Sequence, residues 1–423
     1  MIQYLLFPII VIMLIYMVRH YLFSYFALFR PPKERSYQEV AGLYRPLVSI
    51  LVPCHNEEKV IGHLLDRLVA TTYPKEKLEI IPINDGSTDA TGDVLDDYAA
   101  RHPYVKPLHR RKGGNGKAAA LNAGLKASEG EIVLTFDADY LPQYDIVEKL
   151  VVPFVDPEVG GVQGRVTVYN EDESFVSKLV TLERIGGYRI DQVARDRFGL
   201  IPQYGGTVGG FRRDLLEAFG GWDETMLAED TDLTAKTVLA GYRVRYVLEA
   251  ESYEEAVTTW RAYWKQRYRW AKGHMQCAIR HTLPTIRTNG LSRLQKLDMF
   301  LFLWVYFAPL LLFLGWSLGI AAFLLGAPPI LPFYIGTLSV FTYSAVGNFA
   351  PFFEVGLGVY LDKRKSFLWM LPGLLMGFFL NVVCCTIAFM DLLFRRNGKH
   401  RWNHTTHNGN GYHETVQPAA GGD

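Results

Sequence analysis

Cysteine is scarce: Cys54, Cys277, Cys384 and Cys385 are the only four in 423 residues. They show no paired zinc spacing, and two are adjacent in an apolar run, so neither a disulfide framework nor a structural metal is expected. A dominant charge is lacking as well, with 43 acidic residues against 44 lysines and arginines. Without a broad cationic surface to neutralise a phosphate backbone, no nucleic-acid partner is expected. Apolar sequence, by contrast, is plentiful. Tyr4 to Phe29 exceeds the ~20 residues that a hydrocarbon core requires and is interrupted by Arg19 and His20. Arg19 can snorkel or face a protein interior. The opening has no basic n-region and no small-residue cleavage site follows, so a retained anchor is expected rather than a cleaved leader. Three more apolar stretches follow Lys296: Met299 to Leu325, Ile330 to Phe353 and Phe367 to Phe394.

These spans imply a multi-pass cell-membrane protein. Arg30, Lys33 and Arg35 follow the first span, and Arg287, Arg293 and Lys296 precede the second, which places the intervening chain in the cytoplasm. The loop Asp362 to Lys365, "DKRK", fits that scheme. The tail does not: three later crossings put Arg395 to Trp402 outside, so either the basic-inside tendency fails or one stretch does not span. Four regions result: an anchor and linker (1–44), a cytoplasmic domain ending in an interfacial helix (45–280), a membrane region (281–395) and a polar tail (396–423). The tail is too poor in apolar groups to offset ordering entropy and is expected to be disordered.

Within the cytoplasmic region "LVSILVP", "LEIIPIND" and "EIVLTFDAD" read as buried strands, each followed by polar turn residues and a helix-like stretch. This alternation predicts an α/β domain with a mainly parallel sheet and helices on both faces, and ligands at the carboxyl ends of its strands. Those ends carry "PCHNEE" (Pro53 to Glu58), "NDGSTDAT" (Asn84 to Thr91) and "DADY" (Asp137 to Tyr140). Taken alone, "DGSTD" is a turn in which Ser87 or Thr88 caps the next helix. Asp137 and Asp139, one residue apart in extended chain, point the same way and can share a cation such as Mg²⁺ or Mn²⁺ completed by phosphate oxygens. "GGNGKAAALNAGL" offers a glycine loop and a helix start bearing Lys117, suited to an anion although it is not a P-loop. "LAEDTDL" supplies Glu229, Asp230 and Asp232, which alone would be a helix opening with acids complementing its dipole. "WKQRYRWAKGH", Trp264 to His274, reads either as an amphipathic interfacial helix over Val257 to Arg280 or as part of a site.

In this order "DGSTD", "DAD", "AED" and "QRYRW" resemble the signature of the processive enzymes of glycosyltransferase family 2, a group that includes cellulose, chitin, hyaluronan and poly-N-acetylglucosamine synthases. The resemblance runs from Val48 to Gly273, and the apolar flanks repeat the family's arrangement. It implies a GT-A-type, Rossmann-like fold with transmembrane helices. It further implies that Asn56 and Glu57 lie near the nucleotide base, that Asp85 contacts uridine, and that Lys117 and Asp137 help hold the donor. By the same resemblance Asp139 binds the divalent metal, Asp230 is the general base, and Gln266, Arg269 and Trp270 form the acceptor and diphosphate side. Thr207, in "GGTVGGF", is a candidate acceptor contact. Arg269 would neutralise the leaving diphosphate, and Trp270 would offer the growing chain a flat face. Tyr140 departs from the family pattern, and the "FxVT" gating motif is not found. The expected activity is metal-dependent, inverting extension of a β-linked polysaccharide from UDP-glucose or UDP-N-acetylglucosamine, with a homo-oligomer or export partner completing the path. The alternatives are single transfer to a membrane lipid and a non-catalytic, nucleotide-sugar-binding scaffold.

Overall fold

A computed structural model describes residues 2–30, 42–111, 113, 116–328, 334–336, 338, 346–394 and 409. The N-terminal apolar run forms helix α1 (Ile2–Phe29). The α/β domain begins as a repeated strand-helix unit: β1 (Val48–Cys54), α2 (Ile61–Val69), β2 (Leu78–Asn84), α3 (Thr91–Arg101), β3 (Leu108–His109), α4 (Lys117–Ala127) and β4 (Ile132–Thr135). The four strands pair in parallel in the order β3-β2-β1-β4, with Val48 opposite both Leu78 and Ile132. Both faces of β1 are covered. Ile50 and Val52 join Leu64, Leu65 and Leu68 in one core, while Leu51 joins Leu121 and Leu125 in another. A strand buried on both sides has no polar alternation, which is why "VSILV" reads as a continuous apolar run.

The second half departs from the simple repeat. It comprises β5 (Leu141–Pro142), α5 (Ile146–Val151), β6 (Val159–Val168), α6 (Phe175–Arg184), a π-helical segment (Ile185–Asp191), α7 (Gln192–Phe198), β7 (Gly209–Arg212), α8 (Arg213–Ala218), α9 (Glu229–Leu239) and β8 (Arg243–Glu254). Strand β7 runs antiparallel between β4 and β6, β6 and β8 pair in parallel, and β5 closes the edge antiparallel to β8. The sheet is therefore mixed, with its parallel half at the N-terminal side. Glycine permits the reversal: a Cβ on Gly210 would lie 1.9 Å from the carbonyl oxygen of Val133.

After β8 the chain forms α10 (Trp260–Arg287), α11 (Arg293–Leu303), α12 (Ala308–Leu324), α13 (Ala350–Leu361) and α14 (Leu374–Phe394). Among the described residues three helical stretches are long and apolar enough to cross a membrane: Tyr4–Phe29, Val305–Leu324 and Lys365–Phe394. Half of the Ile330 to Phe353 stretch (330–333, 337 and 339–345) lies outside the described residues, and among the described residues two such helices follow the α/β domain where the sequence suggests three. Helix α10 is longer than the expected Val257 to Arg280 and is bolted to α14: Tyr268 Oη and Lys272 Nζ donate to Asp391 at 2.8 and 2.5 Å. The "DKRK" loop docks on the α/β domain. Asp362 pairs with Arg165 and, at 3.0 Å, with Arg189, and Arg364 pairs with Glu171. The tail lies outside the described residues except for Gly409, whose backbone N–H donates to Glu255, next to the end of β8, at 2.9 Å.

Candidate active site

The carboxyl ends of β1, β2 and β4 open onto a cavity of about 620 Å³ that continues past α10 to the start of α12 and the middle of α14. Glu57, Asp85, Lys117, Asp137, Asp139, Thr207, Asp230, Gln266, Arg269 and Trp270 all line it. Of the residues expected to touch donor, metal or acceptor, Asn56 alone is absent from the lining. It adopts φ +57° at the end of β1, and its Oδ1 accepts from the Thr88 backbone N–H at 2.8 Å. Asn56 thus ties two strand-end loops together instead of facing the cavity. The capping expected of Ser87 or Thr88 is also replaced: Asp89 Oδ1 accepts from the Thr91 N–H at 3.0 Å, while Asn84 Oδ1 receives the Ser87 N–H.

Donor-side charges are arranged in pairs. Asp85 is buried and accepts from Arg110 Nη1 at 2.6 Å. Lys117 Nζ, at the first position of α4, lies 2.5 Å from Asp137 and 2.9 Å from the Gly206 carbonyl oxygen. Although burial opposes the lysine charge, Asp137 and Glu229 raise its pKa above the usual value, so Lys117 is a fixed cation. Asp139 stays on the cavity wall, 8% exposed. Thr207 serves the "DAD" segment, its hydroxyl accepting the Asp137 backbone N–H at 3.0 Å. This contact ties the start of the "DAD" segment to the glycine loop, while Thr207 keeps its place in the cavity lining. The next residue, Val208, is β-branched, buried and at φ +51°, a conformation costing about 1–3 kcal/mol that the surrounding strands impose. Gly206 takes φ +86°, a backbone conformation that a side chain would strain, and carries this loop beside Asp230.

Asp230 and Glu229 occupy the first turn of α9. Burial, and then the adjoining Asp230 charge, push the Glu229 carboxyl up to about 7. A raised carboxyl favours the fold below its unfolded value, and that contribution fades as pH climbs through the folded one. Glu229→Gln should therefore gain thermal stability relative to the parent chain as pH rises from 4.5 toward about 7. A melting-temperature difference that is flat across this window would contradict the shift.

On α10, Arg269 lines the cavity with no hydrogen bond or salt bridge among the described residues, and its charge acts on Glu229. Gln266 Oε1 is buried without a hydrogen-bond partner. An orphaned acceptor in a cavity wall is costly unless a ligand supplies the donor. Trp270 is clamped by guanidinium groups, with Arg267 4.3 Å and Arg184 5.3 Å from its ring. Its face is therefore oriented by the protein.

Sequence reasoning missed the second layer. Tyr140 donates to Glu254 Oε2 at 2.7 Å, and the same carboxylate receives Arg184 at 2.5 and 2.9 Å, so Tyr140 is a strut and not an anomaly. Tyr188, Asp191 and Arg195 also line the cavity; the glycine pair in "IGGYRID" was the available signal for a special backbone there. Carboxylates outnumber the lysines and arginines of the lining: Glu57, Asp85, Asp137, Asp139, Glu183, Asp191, Glu229, Asp230, Glu254 and Glu255 face Lys117, Arg184, Arg195, Arg267 and Arg269.

Residues 49–220 match the Glycosyl transferase family 2 profile. The probable glycosyltransferase YdaM of Bacillus subtilis is 35% identical over 266 residues, 62% of this chain and 63% of its own, so this chain spans less than two thirds of that relative. A beta-monoglucosyldiacylglycerol synthase of Nostoc sp. is 32% identical over 389 residues, 90% of this chain and 80% of its own. A poly-beta-1,6-N-acetyl-D-glucosamine synthase of Staphylococcus epidermidis is 30% identical over 275 residues, 63% of this chain and 64% of its own. Among solved structures, the mannosyltransferase PcManGT from Pyrobaculum calidifontis, in complex with GDP-Man and Mn²⁺, superposes with a TM-score of 0.63 at 23% identity, covering 94% of this chain and all of the other.

Proposed function

Because the chain belongs to glycosyl transferase family 2, we propose that it transfers a hexose from a UDP-sugar to an acceptor hydroxyl presented at the membrane, with inversion at the anomeric carbon. One observation carries this reading: Asp85, Asp137, Asp139, Asp230, Arg269 and Trp270, from distant parts of the chain, line a single cavity. In the proposed step the acceptor O–H gives its proton to Asp230, and its oxygen attacks the anomeric carbon. The bond to the β-phosphate breaks, and its electron pair leaves with the nucleoside diphosphate beside Arg269.

The donor set suits a divalent ion such as Mg²⁺ or Mn²⁺. Among the described residues no three His, Cys, Asp or Glu cluster into a self-sufficient cage. Asp139, with Asp137 adjoining, matches a site that takes one or two carboxylates and completes its shell with phosphate oxygens. The excess of carboxylates in the lining gives the same indication, since a diphosphate entering it needs positive charge. When bound, the ion would neutralise the diphosphate.

Motif order and the Staphylococcus relative support extension of a β-linked polysaccharide from UDP-glucose or UDP-N-acetylglucosamine, on the cytoplasmic side of the cell membrane. A second reading, single transfer to a membrane lipid, draws on a specific feature. The far end of the cavity is formed by Phe302, Val305, Pro309 and Phe378, with Asn381 beside them, and the Nostoc relative aligns through this region. The test is incubation of the full chain in lipid with labelled UDP- and GDP-sugars, with and without chelator. Metal-dependent transfer from a UDP-hexose is expected. Long water-soluble products support polymerisation, short organic-soluble products support the lipid acceptor, and no transfer from any donor would sink the proposal.

A further inference from the structure

Part of the cavity wall is π-helical. The segment Ile185–Asp191 and the first turns of α7 bring Tyr188, Asp191 and Arg195 to the lining. A π-helix is rarely stable by itself and occurs mostly where a function fixes it, so its supports are informative. At its C-terminal end Asp191 Oδ1 accepts from Arg195 Nε at 3.1 Å and from Arg19 Nη2 at 2.5 Å. Arg195 in turn binds both carboxylate oxygens of Asp298, at 2.7 and 2.8 Å. Arg19 belongs to α1, 172 positions away in sequence, and its side chain is 12% exposed.

A guanidinium on a membrane helix costs several kcal/mol unless it faces protein, so Arg19 requires a reason. Attachment of α1 is already provided elsewhere: His20 Nδ1 lies 2.5 Å from Glu354 on α13, and Phe23 and Ala27 pack in the core cluster of Ile190, Val193 and Ala194. What Arg19 adds is contact with a residue of the cavity wall. The π-turn it reaches is on the acceptor side, because Arg184, just before it, lies 5.9 Å from the Tyr188 ring and 5.3 Å from that of Trp270. The Tyr188 hydroxyl also borders Gly205, adjoining the loop that carries Gly206 past Asp230.

We infer that Arg19 is a positioning residue: through Asp191 the N-terminal membrane helix fixes the π-turn that presents Tyr188 to the acceptor. The inference rests on the glycosyl-transfer reading above. In the full chain in lipid nanodiscs, Arg19→Leu is expected to lower kcat or raise the acceptor KM by about tenfold, with UDP affinity changed less than about twofold. Arg19→Lys, which keeps the charge, should recover part of the loss. His20→Gln breaks another clip of α1 and serves as control: it should lower thermal stability as Arg19→Leu does, while keeping kcat and KM. Hydrogen exchange adds a readout independent of turnover, and residues 185–191 should exchange faster in Arg19→Leu with β1 and β4 unchanged. Parental kinetics in Arg19→Leu, equal kinetic losses in His20→Gln, or unchanged exchange at 185–191 would each overturn the inference. If Arg19→Leu does not assemble, Arg19→Gln carries the same comparisons. A parent chain that transfers no sugar, yet whose Arg19→Leu variant loosens 185–191, would remove the glycosyl-transfer reading and retain the latch.

Discussion

Asp230→Asn is expected to slow transfer by about 10²- to 10⁴-fold, the span of a positioned general base, while leaving UDP affinity within about twofold. The amide preserves shape but cannot take the acceptor proton. Asp230 suits the role because α9 begins at Glu229, putting it in the first turn, and because the Gly206 backbone passes beside its carboxylate. Lys117, tied to Asp137 and the Gly206 carbonyl, stands nearby as a fixed positive charge. Steady-state kinetics together with calorimetric titration of UDP would check the split. If kcat survives, the base assignment moves to Glu229, the adjoining carboxyl whose pKa is raised toward neutrality.

Arg269→Ala is expected to cost about 10²- to 10³-fold in kcat, as removal of one preorganised charge-stabilising donor does elsewhere. The expectation rests on two observations. Arg269 has no ion-pair or hydrogen-bond partner among the described residues, whereas its neighbour Arg267 is engaged with Glu183 and the Trp270 ring. It also faces a lining rich in carboxylates, where an unneutralised diphosphate would be repelled. Arg269→Lys should restore only part of the rate, since an ammonium lacks the planar fork that binds two phosphate oxygens. The Ki for UDP as product inhibitor gives an independent reading and should weaken in both variants. Full activity in Arg269→Ala would shift the leaving-group role to Lys117 or to the metal.

Legibility of the site differed from residue to residue for physical reasons. Asp85, Asp137 and Asp139 were readable because a carboxylate directly after an apolar parallel strand falls at the ligand end of the sheet. The contact of Thr207 with the Asp137 backbone was not readable. A hydroxyl in a glycine-rich loop has no periodicity to orient it, and whether it meets a sugar or the Asp137 backbone depends on β7 reversing beside β4. Tyr140 read as an intruder because its partner, Glu254, lies 114 positions away at the end of β8. The mixed character of the sheet was likewise hidden, since β7 is four residues long and begins with two glycines.

Sequence by itself determined the apolar spans, the parallel half of the sheet and the acids at its strand ends, because local periodicity and run length encode burial directly. Tertiary structure alone decided that Arg19 faces Asp191 instead of snorkelling, that Trp270 is gripped by two arginines, and that Asn56 binds a loop. Such outcomes depend on which distant groups come within hydrogen-bonding reach, and that follows from how strands and helices cross in space.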